Sequence, residues 1–462
     1  MEPGDSEPEI ARLLALIEDV DPLIGSVNAV NQRALADAQA LDREARDGHR
    51  RSALHGRAVL VKDNIDTEGL ASTAGSLALA DAPPATDAPL VRRLREAGMV
   101  VLGKTNLSEW ANIRDPHATS GWSAHGGLTR NPYGLNRTAW GSSSGSGAAV
   151  AARLAPFAVG TETDGSITMP AAACGVVGLK PTVGRVPTDG VVPISWTQDS
   201  PGPMALTVAE VAALLDVLAG TATAGSLGQD VRGLRVGVPR QLWGYSAAAD
   251  AAAERALSLL SAAGAVVVDG IQLPALEELD AAHELTLMLC ELKDGLPGYL
   301  ATRDCGVKTL ADVVAFNRAH AEDELSWFDQ ALFEQALETD GTSGAAYVAA
   351  AEACRGAGVV ELDSVLAEHG LDALAAPTTS PASPIDLVNG DWYHGGASTQ
   401  SALAGAPILS VPLELVHGLP VALSLWGARH SEETLLRLGA ALEPGRDASS
   451  GPLPEPTFPS WV

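Results

Sequence analysis

The chain has 462 residues, 46% hydrophobic and 19% charged, a balance that excludes a disordered chain and supplies material for a large buried core. Asp and Glu number 57 against 30 Lys and Arg, giving a net charge of −27. That field repels nucleic acid and anionic membrane surfaces, so neither is expected as a partner, and a tRNA-handling role is disfavoured.

Ile10, Leu13, Leu14 and Ile17 recur at helical spacing over residues 9–19, and a second amphipathic helix is predicted over 31–46. Ala58-Val59-Leu60-Val61 reads as a short buried strand, 89–97 as a helix and 99–103 as another strand, with a further helix beginning in 105–112. Residues 113–147, rich in Gly, Ser, Asn and Trp, form a long irregular region, a feature that is usually functional in a compact domain. A small, apolar helix is predicted over 147–154 and a strand over 155–160, with Gly165-Ser166 on the turn that follows. Then come a helix over 208–219, a strand over 234–238, a helix over 247–263 and a strand over 265–268. Residues 275–370 read as largely helical and more charged, a peripheral layer. Strands return at 373–377, 408–412 and 420–425, before a helix over 432–442 and a Pro/Ser-rich tail over 443–462. Their return argues for one continuous sheet.

The four cysteines, Cys174, Cys290, Cys305 and Cys354, form no Cys-x-x-Cys pair, which fits a reducing compartment. Cys174 lies in a small-residue run and is expected to be buried. Met1 to Pro8 is acidic rather than basic-then-apolar, and no apolar run of about 18 residues occurs. A cytoplasmic protein without membrane contact is the expectation.

Three segments carry candidate chemistry: Val59-Leu60-Val61-Lys62, Gly141-Ser142-Ser143-Ser144-Gly145-Ser146-Gly147, and Gly160-Thr161-Glu162-Thr163-Asp164-Gly165-Ser166. Amide carbonyls are poor electrophiles, so their hydrolysis needs a strong nucleophile, a base and charge stabilisation of the tetrahedral intermediate. Ser166 is the candidate nucleophile. The backbone N–H groups of Thr163, Asp164, Gly165 and Ser166 are the candidate oxyanion hole. Ser142 is the candidate proton relay. Lys62 is the candidate base, provided that burial among its apolar neighbours depresses its pKa. A glycine-serine run is more often a flexible linker, but this one enters an apolar helix without a polar spacer. A glycine-rich turn before a helix can equally hold a phosphate, but the Walker pattern G-x-x-x-x-G-K-[ST] is absent and no lysine follows either turn closely. Ser143, Ser144 and Ser146 are expected to shape the loop, and Asp199 to anchor loops beneath the site. His117, His125, His394 and His417 match no metal motif, so no metal and no cofactor are expected. Trp110, Trp122, Trp140 and Trp196 are read as core, or in part as lining of an apolar cleft.

Together these segments, with Gly103-Lys104-Thr105-Asn106, Gly175 to Thr182 and Asp199 to Met204, resemble the amidase signature family over nearly the whole chain. Thr161 to Ser166 and Pro193 to Asp199 resemble its peptide amidase branch. The resemblance implies an α/β fold, a single large mixed β-sheet covered by α-helices on both faces, in one domain spanning 1–462. Within it, N-terminal helices would occupy about 9–46, the signature core about 55–220, the helical periphery about 275–370 and the C-terminal strands and helix about 371–442. It implies Lys62 as base, Ser142 as bridging serine after a cis Gly141–Ser142 peptide, and Ser166 as the acylated nucleophile of a Ser-Ser-Lys triad. The activity implied is hydrolysis of a carboxamide to acid and ammonia, on a small-molecule or peptide amide, with a peptide C-terminal amide as the finer reading. A glutaminase-type subunit of an amidotransferase complex is the alternative, and a non-catalytic binder the third. Departures from the family pattern are Glu162 for Asp, Asp164 for Gly, Thr168 for Arg, and Trp140 and Ser144 for glycines. Thr168 removes a cation that could hold a substrate carboxylate.

Overall fold

The structure, a computed structural model, describes residues 5–443 and 453–462. In chain order its first strands are β1 (Val27–Val30), β2 (Ala58–Lys62) and β3 (Val100–Thr105). Two small ribbons follow, β4 (Trp122–Ser123) with β5 (Gly127–Leu128) and β6 (Arg130–Asn131) with β7 (Gly134–Thr138). Then come β8 (Phe157–Glu162), β9 (Val177–Lys180), β10 (Ser200–Ala205), β11 (Arg235–Val238), β12 (Val266–Asp269), β13 (Ala373–Pro377), β14 (Ile408–Val416) and β15 (Leu419–Trp426). Eleven of them form one sheet in the order β1-β3-β2-β8-β10-β9-β14-β15-β13-β11-β12. The sheet is mixed: β2 runs parallel to β3 and β8, β11 runs parallel to β12 and β13, and the other pairings are antiparallel.

Strand alternation sorts the side chains to two faces. Val59, Val61, Val101, Phe157 and Val159 pack against helices Pro89–Glu96, Val208–Ala219, Ala247–Ala262 and Glu432–Ala441. Ala58, Leu60, Val100, Leu102 and Ala158 pack on the other side against Ser6–Ile24, Ala34–Arg46, Ser144–Ala151 and Thr168–Cys174. The expected single mixed sheet with helices on both faces is therefore what forms. Lys62 continues the Ala58–Leu60 alternation, so it points to the side where the serine-bearing turns start their helices.

Several elements differ from the sequence reading. The first helix extends over Ser6–Ile24, and the segment predicted as one helix from 31 is preceded by edge strand β1. The helix predicted within 105–112 does not form. β3 continues through Thr105, and Glu109–Asn112 is a 3₁₀ turn in which Trp110, Ala111 and Asn112 have positive φ. The Glu109 side chain holds this turn open, pairing with Arg114 and accepting the Ala124 N–H at 2.7 Å. Strands β9 and β10 and helix Thr168–Cys174 were not anticipated as elements. Of the tail predicted over 443–462, residues 444–452 lie outside the described residues. Residues 453–462 pack back on the ribbons, with Leu453 in the core and Pro459 O accepting the Leu135 N–H at 2.8 Å.

Helices Ala281–Leu300, Leu310–Ala319 and Ala331–Glu338 form a further core with Trp110, Ile113, Val192 and Ile194. They roof the sheet end where β2 and β8 terminate. Arg114 ties this roof down, donating to the carbonyl of Phe328 at 3.2 Å from a fully buried position. Among the described residues, no helix is long and apolar enough to cross a membrane.

Candidate active site

Lys62 ends β2, next to β8, whose last residues are Thr161 and Glu162. Ser142 and Ser166 precede helices Ser144–Ala151 and Thr168–Cys174, which both pack on that sheet end. The serine loop is no linker: all residues of Ser144–Ala151 are buried. A Cβ at Gly145 would collide with the carbonyl oxygens of Ser26 and Asn106, so only glycine allows this approach. Ser143 Oγ donates to Thr161 O at 3.0 Å and accepts the Thr161 N–H at 3.2 Å, fastening the loop to β8. Ser146 meets Thr105 Oγ1 at 2.8 Å, and Ser144 bonds Trp140 O. These three serines shape the loop, as expected. The Gly141–Ser142 peptide is cis.

Lys62 is fully buried and its Nζ lies 2.7 Å from Ser142 Oγ. It also reaches Thr161 Oγ1 at 2.8 Å and Thr161 O at 3.2 Å. Burial pushes its amine well below the usual lysine range, and the more distant charges of Asp199 and Glu162 only partly oppose this. Two other lysines are as deeply buried, but they are committed elsewhere. Lys104 faces Asp63 at 3.5 Å, and Lys180 donates to Ala406 O at 2.5 Å. Lys104 also meets a hydroxyl, Ser72 Oγ at 2.7 Å, but it is paired with Asp63; among the described residues, Lys62 combines a neutral-favouring setting and a hydroxyl partner with no ion pair.

Ser166 sits on the turn after β8 and lines the cavity described below. Its carbonyl accepts the Ser143 N–H at 3.0 Å, which brings the two serine turns together. Among the described hydrogen bonds, none joins the Ser142 and Ser166 hydroxyls. The structure thus unites Lys62 with Ser142 and places Ser166 on the adjoining backbone.

The N–H groups of this turn divide sharply. Those of Ile167 and Thr168 are held by Glu162 Oε2 at 2.7 and 2.8 Å. Those of Thr163, Asp164, Gly165 and Ser166 donate to no acceptor among the described residues. Gly165 has φ +77°, which turns the chain between them. Thr163 Oγ1 donates to Asp199 Oδ1 at 2.6 Å, and Asp199 Oδ2 accepts the Ile194 and Ser195 N–H groups at 2.8 and 3.0 Å. Asp199 therefore anchors two loops beneath the site, as read from the sequence. Burial pushes its carboxyl up to about 6.

A cavity of about 330 Å³ opens over Ser166, with Trp140, Met169, Ile194 and Met288 as its apolar wall and Asp164 and Asp391 as its acids. No Lys, Arg or His lines it among the described residues. Of the four tryptophans singled out, only Trp140 reaches this cavity; Trp110 and Trp122 are core, whereas Trp196 is 49% exposed. Cys174 is buried, as expected, and the described residues contain no group of His, Cys, Asp and Glu able to hold a metal. Sequence reasoning missed Asn64 and Thr161, which contact Lys62 or its partner, and Asp391 and Tyr393, which arrive from far along the chain.

The family model described as Amidase matches residues 10–436. A probable amidase of Arabidopsis thaliana is 34% identical, over 93% of this chain and 85% of that protein. A glutamyl-tRNA(Gln) amidotransferase component from Anaeromyxobacter dehalogenans is 37% identical, over 96% and 93%. Among solved structures, the native peptide amidase of Stenotrophomonas maltophilia superposes with a TM-score of 0.89 at 43% identity, over 96% of this chain and 93% of that one.

Proposed function

From the premise that this chain belongs to the amidase family and hydrolyses amide bonds, we propose that it does so through Lys62, Ser142 and Ser166 and an acyl-enzyme on Ser166. The observation that carries this reading is the 2.7 Å contact between a fully buried lysine, without an ion pair among the described residues, and Ser142 Oγ. Neutral Lys62 takes the Ser142 proton as Ser142 takes that of Ser166. Ser166 Oγ then bonds to the amide carbon. The uncommitted N–H groups of the 163–166 turn receive the negative oxygen; one such donor is worth ~10²–10³ in rate. Ser142 returns a proton to the departing nitrogen, the C–N bond breaks, and Ser142 regains its proton from Lys62. A water then repeats the sequence on the ester. The Ser142–Ser166 link closes in the substrate complex, where catalytic hydrogen bonds commonly tighten.

The substrate we propose is the C-terminal carboxamide of a peptide. Such an amide carries no carboxylate beside the bond, which matches a cavity with two acids and no cation on its walls. The likeness to peptide amidase supports the same reading. The amidotransferase likeness favours glutamine as a second reading. However, glutamine's α-carboxylate would find acids, Asp164 and Asp391, and no cationic side chain among the described residues of the wall. Ammonia release measured across peptide amides, aliphatic amides, aryl amides and glutamine decides between them. Ser166→Ala is expected to abolish release while preserving the fold; near wild-type turnover in that variant overturns the triad.

A further inference from the structure

Beneath Lys62 lies a polar group that the proton cycle leaves unused. Asn64, 2% exposed, sits 3.0 Å from Thr161 Oγ1 through its Nδ2 end, and its Oδ1 is then buried without a partner. A buried acceptor left bare is costly. Asn64 also lines a small void of about 10 Å³, together with Thr163, Asp199 and Ser200. The two ends of a carboxamide have the same shape, so the hydrogen-bond inventory decides which one meets Thr161.

That inventory also bears on Lys62. A neutral amine has two hydrogens and one lone pair. Its three neighbours are Thr161 O, Thr161 Oγ1 and Ser142 Oγ. The carbonyl can only accept, so it takes one hydrogen. The second hydrogen and the lone pair are shared between two hydroxyls, each able to donate or accept. If the Thr161 hydroxyl donated to Nζ, Ser142 would receive a hydrogen and the base would be blocked. The fold must therefore send the Thr161 proton elsewhere.

We propose that Asn64 is a positioning residue whose Oδ1 accepts the Thr161 hydroxyl, so that Thr161 accepts from Lys62 and the lysine lone pair is left facing Ser142. The hydrogen bonds then run one way, Ser142 to Lys62 to Thr161 to Asn64. The same orientation gives the bare acceptor a partner and turns the amide hydrogens away from Thr161. The inference rests on the Lys62–Ser142–Ser166 reading.

The test follows phosphonylation of Ser166 by a fluorophosphonate across pH, read by intact mass, in wild type, Asn64→Leu and Asn64→Asp, with thermal melts of each. Leucine matches asparagine in size and cannot accept; phosphonylation should fall at least about tenfold at every pH. Aspartate can only accept, so its high-pH plateau should stay within about threefold of wild type. Its charge beside Lys62 should move the half-maximal pH upward. Wild-type rates in Asn64→Leu, or an Asn64→Asp plateau as low as that of Asn64→Leu, overturn the inference and leave the triad standing. A wild-type protein that does not react overturns the triad, and the inference with it.

Discussion

Glu162→Ala removes the carboxylate that sets the shape of the turn bearing Ser166. Glu162 is 1% exposed, and its Oε2 accepts the Ile167 and Thr168 N–H groups and Thr168 Oγ1 at 2.7, 2.8 and 3.1 Å. Alanine leaves two buried N–H groups with no acceptor, at ~1–3 kcal/mol each. The expected loss is therefore ~2–6 kcal/mol, a large share of the ~5–15 kcal/mol by which a domain is stable. Relief of a buried charge offsets part of this, because burial already raises the Glu162 carboxyl against the pull of Lys180. Urea denaturation followed by tryptophan fluorescence measures the loss, and phosphonylation of Ser166 in the folded fraction measures the turn. Glu162→Gln retains one acceptor oxygen and should recover part of both. A loss below ~1 kcal/mol with wild-type reactivity at Ser166 would refute the view that Glu162 holds this turn.

Two further outcomes follow from the geometry. Lys62 is held below its ordinary pKa, so between that lowered value and 10.5 the unfolded chain binds a proton that the folded one does not. Wild-type stability gains on that account as pH rises through this window; Lys62→Met should lack the gain, and parallel pH–stability curves for the two proteins would contradict it. Gly145→Ala drives a methyl group into the carbonyls of Ser26 and Asn106, so it should cost ~1–3 kcal/mol or more in the denaturation midpoint and lower the Ser166 reaction rate. An unchanged midpoint would contradict the packing described for the serine loop.

The site was legible where chemistry is local. Lys62 follows an apolar run, and both serines lie on glycine-rich turns, so residue type and neighbours named them. The sheet's outer architecture was legible where alternation is clean, as at Ala58–Val61. It was not legible at β10, because Pro201 and Pro203 lack donors and read as loop. They are tolerated because β9 joins this strand only from Met204 onward, leaving β8 as the neighbour of the proline-bearing part. Edge strand β1 is four half-buried residues, too short to show a period. The Trp110 to Asn112 turn was read as helical from its composition, since nothing local reveals that Glu109 is held by Arg114 and Ala124. Asn64 and Asp391 were missed because their meaning comes from partners 97 and 271 positions away.

The proposed reacting groups and one wall of the cavity come from different layers of this molecule. The lysine and the two serine turns are built on strand ends and their covering helices, whereas Met288 and the helices around it belong to the roof. A change in the roof can therefore reshape the wall that Met288 supplies, while Trp140, Asp164, Met169 and Asp391 hold the rest of the cavity as it was. An engineer varying that wall must keep Glu291, Arg303 and Glu324, whose buried contacts to Ser195, Asp66 and Ser76 fasten the 281–338 segment to the loops below it.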